Sequence, residues 1–134
     1  MAPKRINPEN LYNSLTYGFS HATVSEPGQL LHISGQVAWD SEYNVVGGND
    51  LGAQARQAYA NLKAVLESQG LTPADLVRIR TYVVDHSPDK LEPVAAEMMA
   101  FYGDATPAAN TWIGVQALAL PDFLIEIEAT AQMR

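Results

Sequence analysis

Phe123-Leu124-Ile125-Glu126-Ile127-Glu128-Ala129 alternates apolar and polar side chains with a period of two. That is the pattern of a strand with one covered face: Phe123, Ile125, Ile127 and Ala129 turn toward a core, and Leu124, Glu126 and Glu128 share the opposite side. The strand reads as far as Ala131. Before it, across a Leu120-Pro121-Asp122 turn, Thr111 to Leu118 reads as another strand. Further out, Val77 to Val84 alternates in the same way after a Thr72-Pro73-Ala74-Asp75 cap.

Two segments change to helical spacing. From Leu51 to Gln69, the residues Leu51, Ala55, Ala58, Tyr59, Leu62, Val65 and Leu66 recur at three and four, with Gly70 as the stop. The second helix follows a Ser87-Pro88-Asp89 cap and lines up Leu91, Val94, Ala95, Met98 and Phe101 before Gly103. Upstream, Thr16 to Val24 and Leu30 to Trp39 flank Glu26-Pro27-Gly28-Gln29 and read as a hairpin, which Tyr43 to Val46 extends. The order β-β-(β)-α-β-α-β-β describes one α+β domain over residues 1–134 with a mixed sheet. Two helices of this length cannot cover both faces of so wide a sheet. They are expected on one face, with the other buried inside an oligomer.

Composition narrows the function. The 134 residues are 47% hydrophobic and 17% charged, as in a single packed domain. Eight Lys and Arg against 15 Asp and Glu give a net charge of −7, which repels phosphate backbones and anionic lipid, so neither nucleic acid nor membrane is an expected partner. The absence of Cys removes disulfides, thiolate zinc sites and Cys nucleophiles. Met1-Ala2-Pro3-Lys4-Arg5 has no apolar run behind it, and the expected address is the cytoplasm.

Several groups are candidates for chemistry. Glu126 and Glu128, two apart on one strand face, stand close enough for enclosure to raise a carboxyl pKa; the plainer alternative is a solvated strand face. Ser34-Gly35-Gln36 places a glycine inside a strand, where a ligand or backbone approaches closely or a bulge forms. The Asp104 to Trp112 connection offers Asn110 as a hydrogen-bonding amide and has no positive charge. Arg78, Arg80 and Tyr82 share a strand face and are expected to pair with acidic groups across the sheet. His21 and His32 across the hairpin give only a weak metal signal. No glycine-rich phosphate loop opens either helix.

Ile33-Ser34-Gly35-Gln36, Ala53 to Ala58 with Asn61-Leu62-Lys63 and Gly70-Leu71, Val77 to Asp85, Thr106-Pro107-Ala108, and Ile125 to Ala129 occur in the order and approximate spacing of a known family. From Tyr17 onward the chain resembles the Rid (YjgF, L-PSP endoribonuclease-like) family. The resemblance implies a chorismate-mutase-like α+β subunit, a homotrimer with small-molecule clefts between subunits, and hydrolysis of enamines and imines such as 2-aminoacrylate to keto acid and ammonia without metal or organic cofactor. Relatives also deaminate aminomuconate-type compounds or are described as ribonucleases.

Carried over by position, Glu126 matches the carboxylate that guides the hydrolytic water, Ser34 and Gly35 match the pocket strand, and Tyr17 matches a pocket tyrosine, although the interval from Tyr17 to Ser34 is longer here. The deaminases of the family carry an Arg after the Pro-Ala of the loop, clamping the substrate carboxylate. Here Asn110 stands at that place. Losing a charge-assisted contact costs about 1.5 to 3 kcal/mol, more than tenfold in binding or rate. Trp112, on the same strand face as Asn110, implies an aromatic or extended ligand. The expected function is a deaminase-like hydrolase for a small imine, enamine or related compound. A non-catalytic ligand-binding or regulatory trimer is the alternative, and an endoribonuclease the third.

Overall fold

The computed structural model describes residues 2–134. Strands β1 (Lys4–Ile6), β2 (Ala22–Val24) and β3 (Leu30–Gln36) precede helix α1 (Leu51–Ser68). They are followed by β4 (Leu76–Val84), α2 (Leu91–Tyr102), β5 (Ala109–Val115) and β6 (Ile125–Gln132). The main sheet has the order β3-β6-β4-β5. Strand β6 is antiparallel to both β3 and β4, and β4 is parallel to β5, so the sheet is mixed.

This topology explains where the helices lie. β3 and β4 run the same way with β6 inserted between them, so α1 and α2 both serve as crossovers between parallel strands and both advance across the sheet in one direction. Crossovers of this kind share one handedness. Both helices therefore pack on the same face, against each other and against Leu76, Ile79, Val83, Ile125, Ile127 and Ala131, all buried. The opposite face carries Arg78 and Arg80 of β4, exposed, with Tyr82, Glu126, Glu128 and Thr130 half-buried. The α+β class, the mixed sheet and the one-sided helices agree with the expectation.

Local chemistry sets the boundaries. Asp50 caps α1 by accepting from the Ala53 N–H at 3.1 Å, and Gly70, at φ 71°, ends it as Leu71 N–H returns to the Leu66 carbonyl at 2.9 Å. Pro93 sits in the first turn of α2, where its missing N–H costs little. β3 stops at Gln36 rather than Trp39, because Asn61 of α1 donates to the Val37 and Trp39 carbonyls at 2.9 and 2.8 Å. The Tyr43 to Val46 pairing is reduced to an isolated bridge between Trp39 and Val45, closed by the Asp40 N–H to the Asn44 carbonyl at 3.0 Å and the Val46 N–H to the Ala38 carbonyl at 2.8 Å.

The hairpin between residues 16–24 and 30–39 does not form. β2 pairs instead with β1, in a separate two-stranded sheet. Arg5 fixes this arrangement by donating to the Thr106, Leu76 and Ala74 carbonyls at 3.1, 2.6 and 3.1 Å. Ser14–Tyr17 forms a 3₁₀ turn rather than extended chain, capped by Asn13 and closed by Gly18 at φ 83°. The expected Thr111–Leu118 strand starts two residues earlier, at Ala109, where Thr23 Oγ1 accepts from the Ala109 N–H at 3.1 Å, and ends three residues earlier, at Val115.

Gln54 ties the helix layer to β6. It is fully buried, its amide donates to the Gly48 and Asp122 carbonyls at 2.7 and 2.9 Å, and its Oε1 accepts from the Leu124 N–H at 3.0 Å. That last bond delays the strand to Ile125 and fixes the register that carries Glu126. Gln54→Leu keeps the bulk and strands three backbone groups, and we expect a loss of about 2–4 kcal/mol in urea denaturation. A loss under about 1 kcal/mol would show that water replaces the amide.

Candidate active site

The candidate residues fall into two groups on opposite faces of the sheet. Glu126 pairs in register with Tyr82 and Glu128 with Arg80, which places both carboxylates on the face away from the helices. Asn110 and Trp112 are in register with Ile79 and Thr81, whose side chains are buried under the helices. In a single subunit the structure therefore does not bring Glu126 together with Asn110, Trp112 or Tyr17.

On the open face, Ser34 and Gly35 join Glu126. Ile33 pairs with Ala129 and Gln36 with Ile127, so Ser34 and Gly35 both stand opposite Glu128 in a β-bulge. The bulge and the close approach, which were alternatives from sequence, occur together here. A Cβ at position 35 would lie 1.9 Å from Glu126 Oε2 and 2.6 Å from its Cδ, so the carboxylate occupies the space a side chain would need.

The two carboxylates differ in their partners. Glu128 accepts a short hydrogen bond from the Tyr82 hydroxyl and a contact from the Arg80 guanidinium at 3.5 Å, the cross-sheet pairing with an acidic group expected for Arg80 and Arg78 but made only by Arg80 among the described residues. Arg78 donates to Thr111 Oγ1 at 2.9 Å. Glu126 accepts no hydrogen bond among the described residues. Partial burial pushes its pKa up, and the negative charge of Glu128 adds to the shift. Glu128 in turn raises the Tyr82 phenol by holding its proton. Glu126 is thus the less compensated of the two carboxylates.

On the helix side, Tyr17, Asn110 and Trp112 line one cavity of about 790 Å³ with Tyr12, Phe19 and Leu91. Its wall is held in place by a polar anchor. Asn7 Oδ1 accepts from Ser14 Oγ at 3.2 Å and from the His21 N–H at 3.0 Å, while Ser20 N–H donates to the Ala108 carbonyl at 2.9 Å. These bonds lay the aromatic segment against the start of β5. Trp112 Nε1 donates to His86 Nδ1 at 3.3 Å, and Thr81 Oγ1 donates to Asn110 Oδ1 at 3.1 Å, so both wall residues are oriented from behind.

Sequence reading missed Tyr12, Phe19, Leu91, Glu92 and Ala95 as lining. Leu91 and Ala95 carried a signal, since they sit four apart on one helix face; the N-terminal aromatics carried none, because their placement depends on Asn7. His32 is in register with Thr130 in the main sheet, whereas His21 packs on Tyr12 and Phe19, so no hairpin joins the two imidazoles. Among the described residues no cluster of three or more His, Cys, Asp or Glu is arranged to hold a metal ion. No helix among them is long and apolar enough to cross a membrane.

Comparison with known proteins gives one consistent result. The family model described as Endoribonuclease L-PSP matches residues 12–133. A RutC family protein of Pyrococcus horikoshii is 32% identical over 132 residues, covering 97% of this chain and 90% of the relative. A 2-iminobutanoate/2-iminopropanoate deaminase of Salmonella typhimurium is 34% identical over 108 residues, covering 80% and 82%. Among solved structures, a protein of unknown function of the conserved Rid family, YyfB of Yersinia pestis, is 58% identical with a TM-score of 0.96 over 99% of this chain and 100% of its own. The sheet order, the one-sided helices and these relatives together place the chain in the Rid (YjgF, L-PSP endoribonuclease-like) family.

Proposed function

We propose that the protein is a deaminase-like hydrolase that converts a small imine or enamine to a carbonyl compound and ammonia, without metal or organic cofactor. The observation that carries this reading is Glu126: half-buried, without a hydrogen-bond partner among the described residues, raised in pKa, and cleared of obstruction by Gly35. The deaminase relatives support the reaction class.

Each step balances. Glu126 takes a proton from water as the oxygen bonds to the imine carbon, and the C=N π pair moves to nitrogen. The resulting carbinolamine has four single bonds at carbon. Glu126 returns the proton to nitrogen; the carbinolamine hydroxyl proton then passes by way of Glu126 to the departing nitrogen as the C–N bond breaks and C=O forms, releasing ammonia. Glu128, engaged by Tyr82 and Arg80, holds its neighbour's pKa up and does not transfer the proton.

The two faces must meet for this chemistry. We place the reaction in a cleft where the cavity wall of one subunit (Tyr17, Asn110, Trp112) abuts the open sheet face of the next, with Glu126, Ser34 and Gly35, in a homotrimer. Sedimentation equilibrium is expected to give a mass three times the 14.5 kDa chain; a monomer at assay concentration would remove the cleft.

We take Asn110 as the counterpart of the deaminase Arg, and its amide oxygen is already engaged by Thr81. We therefore read 2-imino acids as weak substrates and imines without a carboxylate as better ones. The test uses imines generated in place by amino-acid or amine oxidases. Wild type is expected to favour the amine-derived imines, Glu126→Gln to lower turnover by about 10²–10⁴, and Asn110→Arg to gain on 2-imino acids. Gly35→Ala, whose methyl falls on the Glu126 carboxylate, is expected to lose at least about tenfold. Unchanged turnover in Glu126→Gln would sink the mechanism. Saturable binding without turnover on any imine would instead favour a ligand-binding trimer, and the −7 charge weighs against an RNA substrate.

A pH profile adds an independent check. A general base with a raised pKa loses activity on acidification at a higher pH than an ordinary carboxylate does, so the acid limb is expected above 4.5. Glu128→Gln removes the like charge, lowers the Glu126 pKa and moves the limb to lower pH. A shift the other way would show that Glu128 acts on Glu126 by something other than charge.

A further inference from the structure

The charge of the Trp112 cavity limits what it takes. Four aromatic residues, Tyr12, Tyr17, Phe19 and Trp112, contribute to its wall, and the only formally charged residue lining it is Glu92 in the first turn of α2. The remaining polar contributors, Thr16, Asn110 and Thr111, are neutral. Indole and phenol faces carry negative electrostatic potential, which attracts cations, and a carboxylate at the rim acts in the same sense.

The chain has little positive charge left to reverse this. Of its eight Lys and Arg, Arg5 is spent on three carbonyls, Arg56 on Glu97, Lys63 on Glu67, Arg80 on Glu128 and Arg134 on Asp75. Lys90 is directed to the Val84 and Asp85 carbonyls at 3.2 and 2.6 Å; Arg78 donates to the hydroxyl of Thr111 at 2.9 Å, beside the cavity, and is not itself among the lining residues. Lys4 lies in β1. An anionic ligand would meet π faces and Glu92, with no guanidinium or ammonium among the lining residues to balance it.

We propose that this cavity selects an organic cation with an aromatic or branched apolar body and no carboxylate, the protonated imine R₂C=NH₂⁺ being the reacting member of that class. This rests on the reading of the protein as an imine hydrolase and adds its substrate class. With water, such a cation gives R₂C=O and NH₄⁺, so charge balances without a counter-ion in the site. The apolar body lies against Trp112 and Leu91, and the positive end faces Glu92 and the tyrosines.

The test separates binding from turnover. Stable probes of similar shape and opposite charge, 2-phenylethylammonium and 3-phenylpropanoate, are titrated into the full-length oligomer by calorimetry. The cation is expected to bind at least about tenfold tighter. Glu92→Gln is expected to cut that preference about fivefold. Trp112→Ala is expected to abolish saturable binding of the cation and Trp112→Phe to retain part of it, with circular dichroism confirming that both fold. Equal or tighter binding of 3-phenylpropanoate overturns the inference, as does a preference unchanged in both Glu92→Gln and Trp112→Ala. The proposed function fails separately: cation preference without turnover of any imine refutes the hydrolase and leaves the pocket's selectivity standing. Efficient turnover of 2-imino acids with anion preference refutes the selectivity and leaves the hydrolase standing.

Discussion

The insertion of β6 between β3 and β4 is the constraint on which the rest of the molecule depends. It makes the last strand a central one, hydrogen-bonded on both sides, with Ile125, Ile127, Ala129 and Ala131 facing the helices. A one-residue slip in its register would turn Glu126 and Glu128 into the core and expose the isoleucines, so the packing of one face fixes the position of the carboxylates on the other. The carboxylate proposed to react is thereby held by a central strand whose other face is buried, with little freedom to drift. Gln54 and the bulge at Ser34 and Gly35 act on the same strand, one by setting where it starts and the other by leaving room for the Glu126 side chain.

A second consequence of the sheet concerns assembly. Because both crossovers place their helices on one side, the other side presents half-buried carboxylates, a phenol and two arginines without a covering layer. The cavity at the end of β5 lies on the helix side, and its aromatic wall carries Tyr12 and Tyr17 at 62% and 68% exposure. Large aromatics that exposed beside a cavity gain most when a second surface closes over them. Each half of the site therefore has unsatisfied surface that the other would cover, which gives a physical reason for the chemistry to depend on association rather than on a single chain.

What was legible in the sequence follows the range of the interactions involved. Helix α1, strand β4 and the two-faced character of β6 rest on periodicity and caps within a few residues, and Leu62, Ile79, Ile127 and their neighbours are buried as the pattern requires. The pairing of the N-terminal segment was not legible, since Arg5 reaches carbonyls about seventy and a hundred residues away and no local pattern encodes them. The same limit applied to the site. Glu126, Gly35 and Trp112 stood out through alternation and strand position, whereas Tyr12 and Phe19 enter the cavity only because Asn7 and Ser20 fold the segment onto the loop before β5.

The pair Glu126 and Glu128 shows how one strand face can hold two identical side chains in different surroundings. Both begin as carboxylates two residues apart, and their mutual repulsion falls on whichever is less well compensated. Tyr82 and Arg80 compensate Glu128, and neither reaches Glu126, whose pKa is raised by burial and by the charge of Glu128. The asymmetry comes from β4, whose register sets Arg80 against Glu128 and Tyr82 against Glu126, with the Tyr82 hydroxyl bonding diagonally to the second carboxylate. The raised pKa and the close approach of Gly35 meet at Glu126 because both depend on the same register.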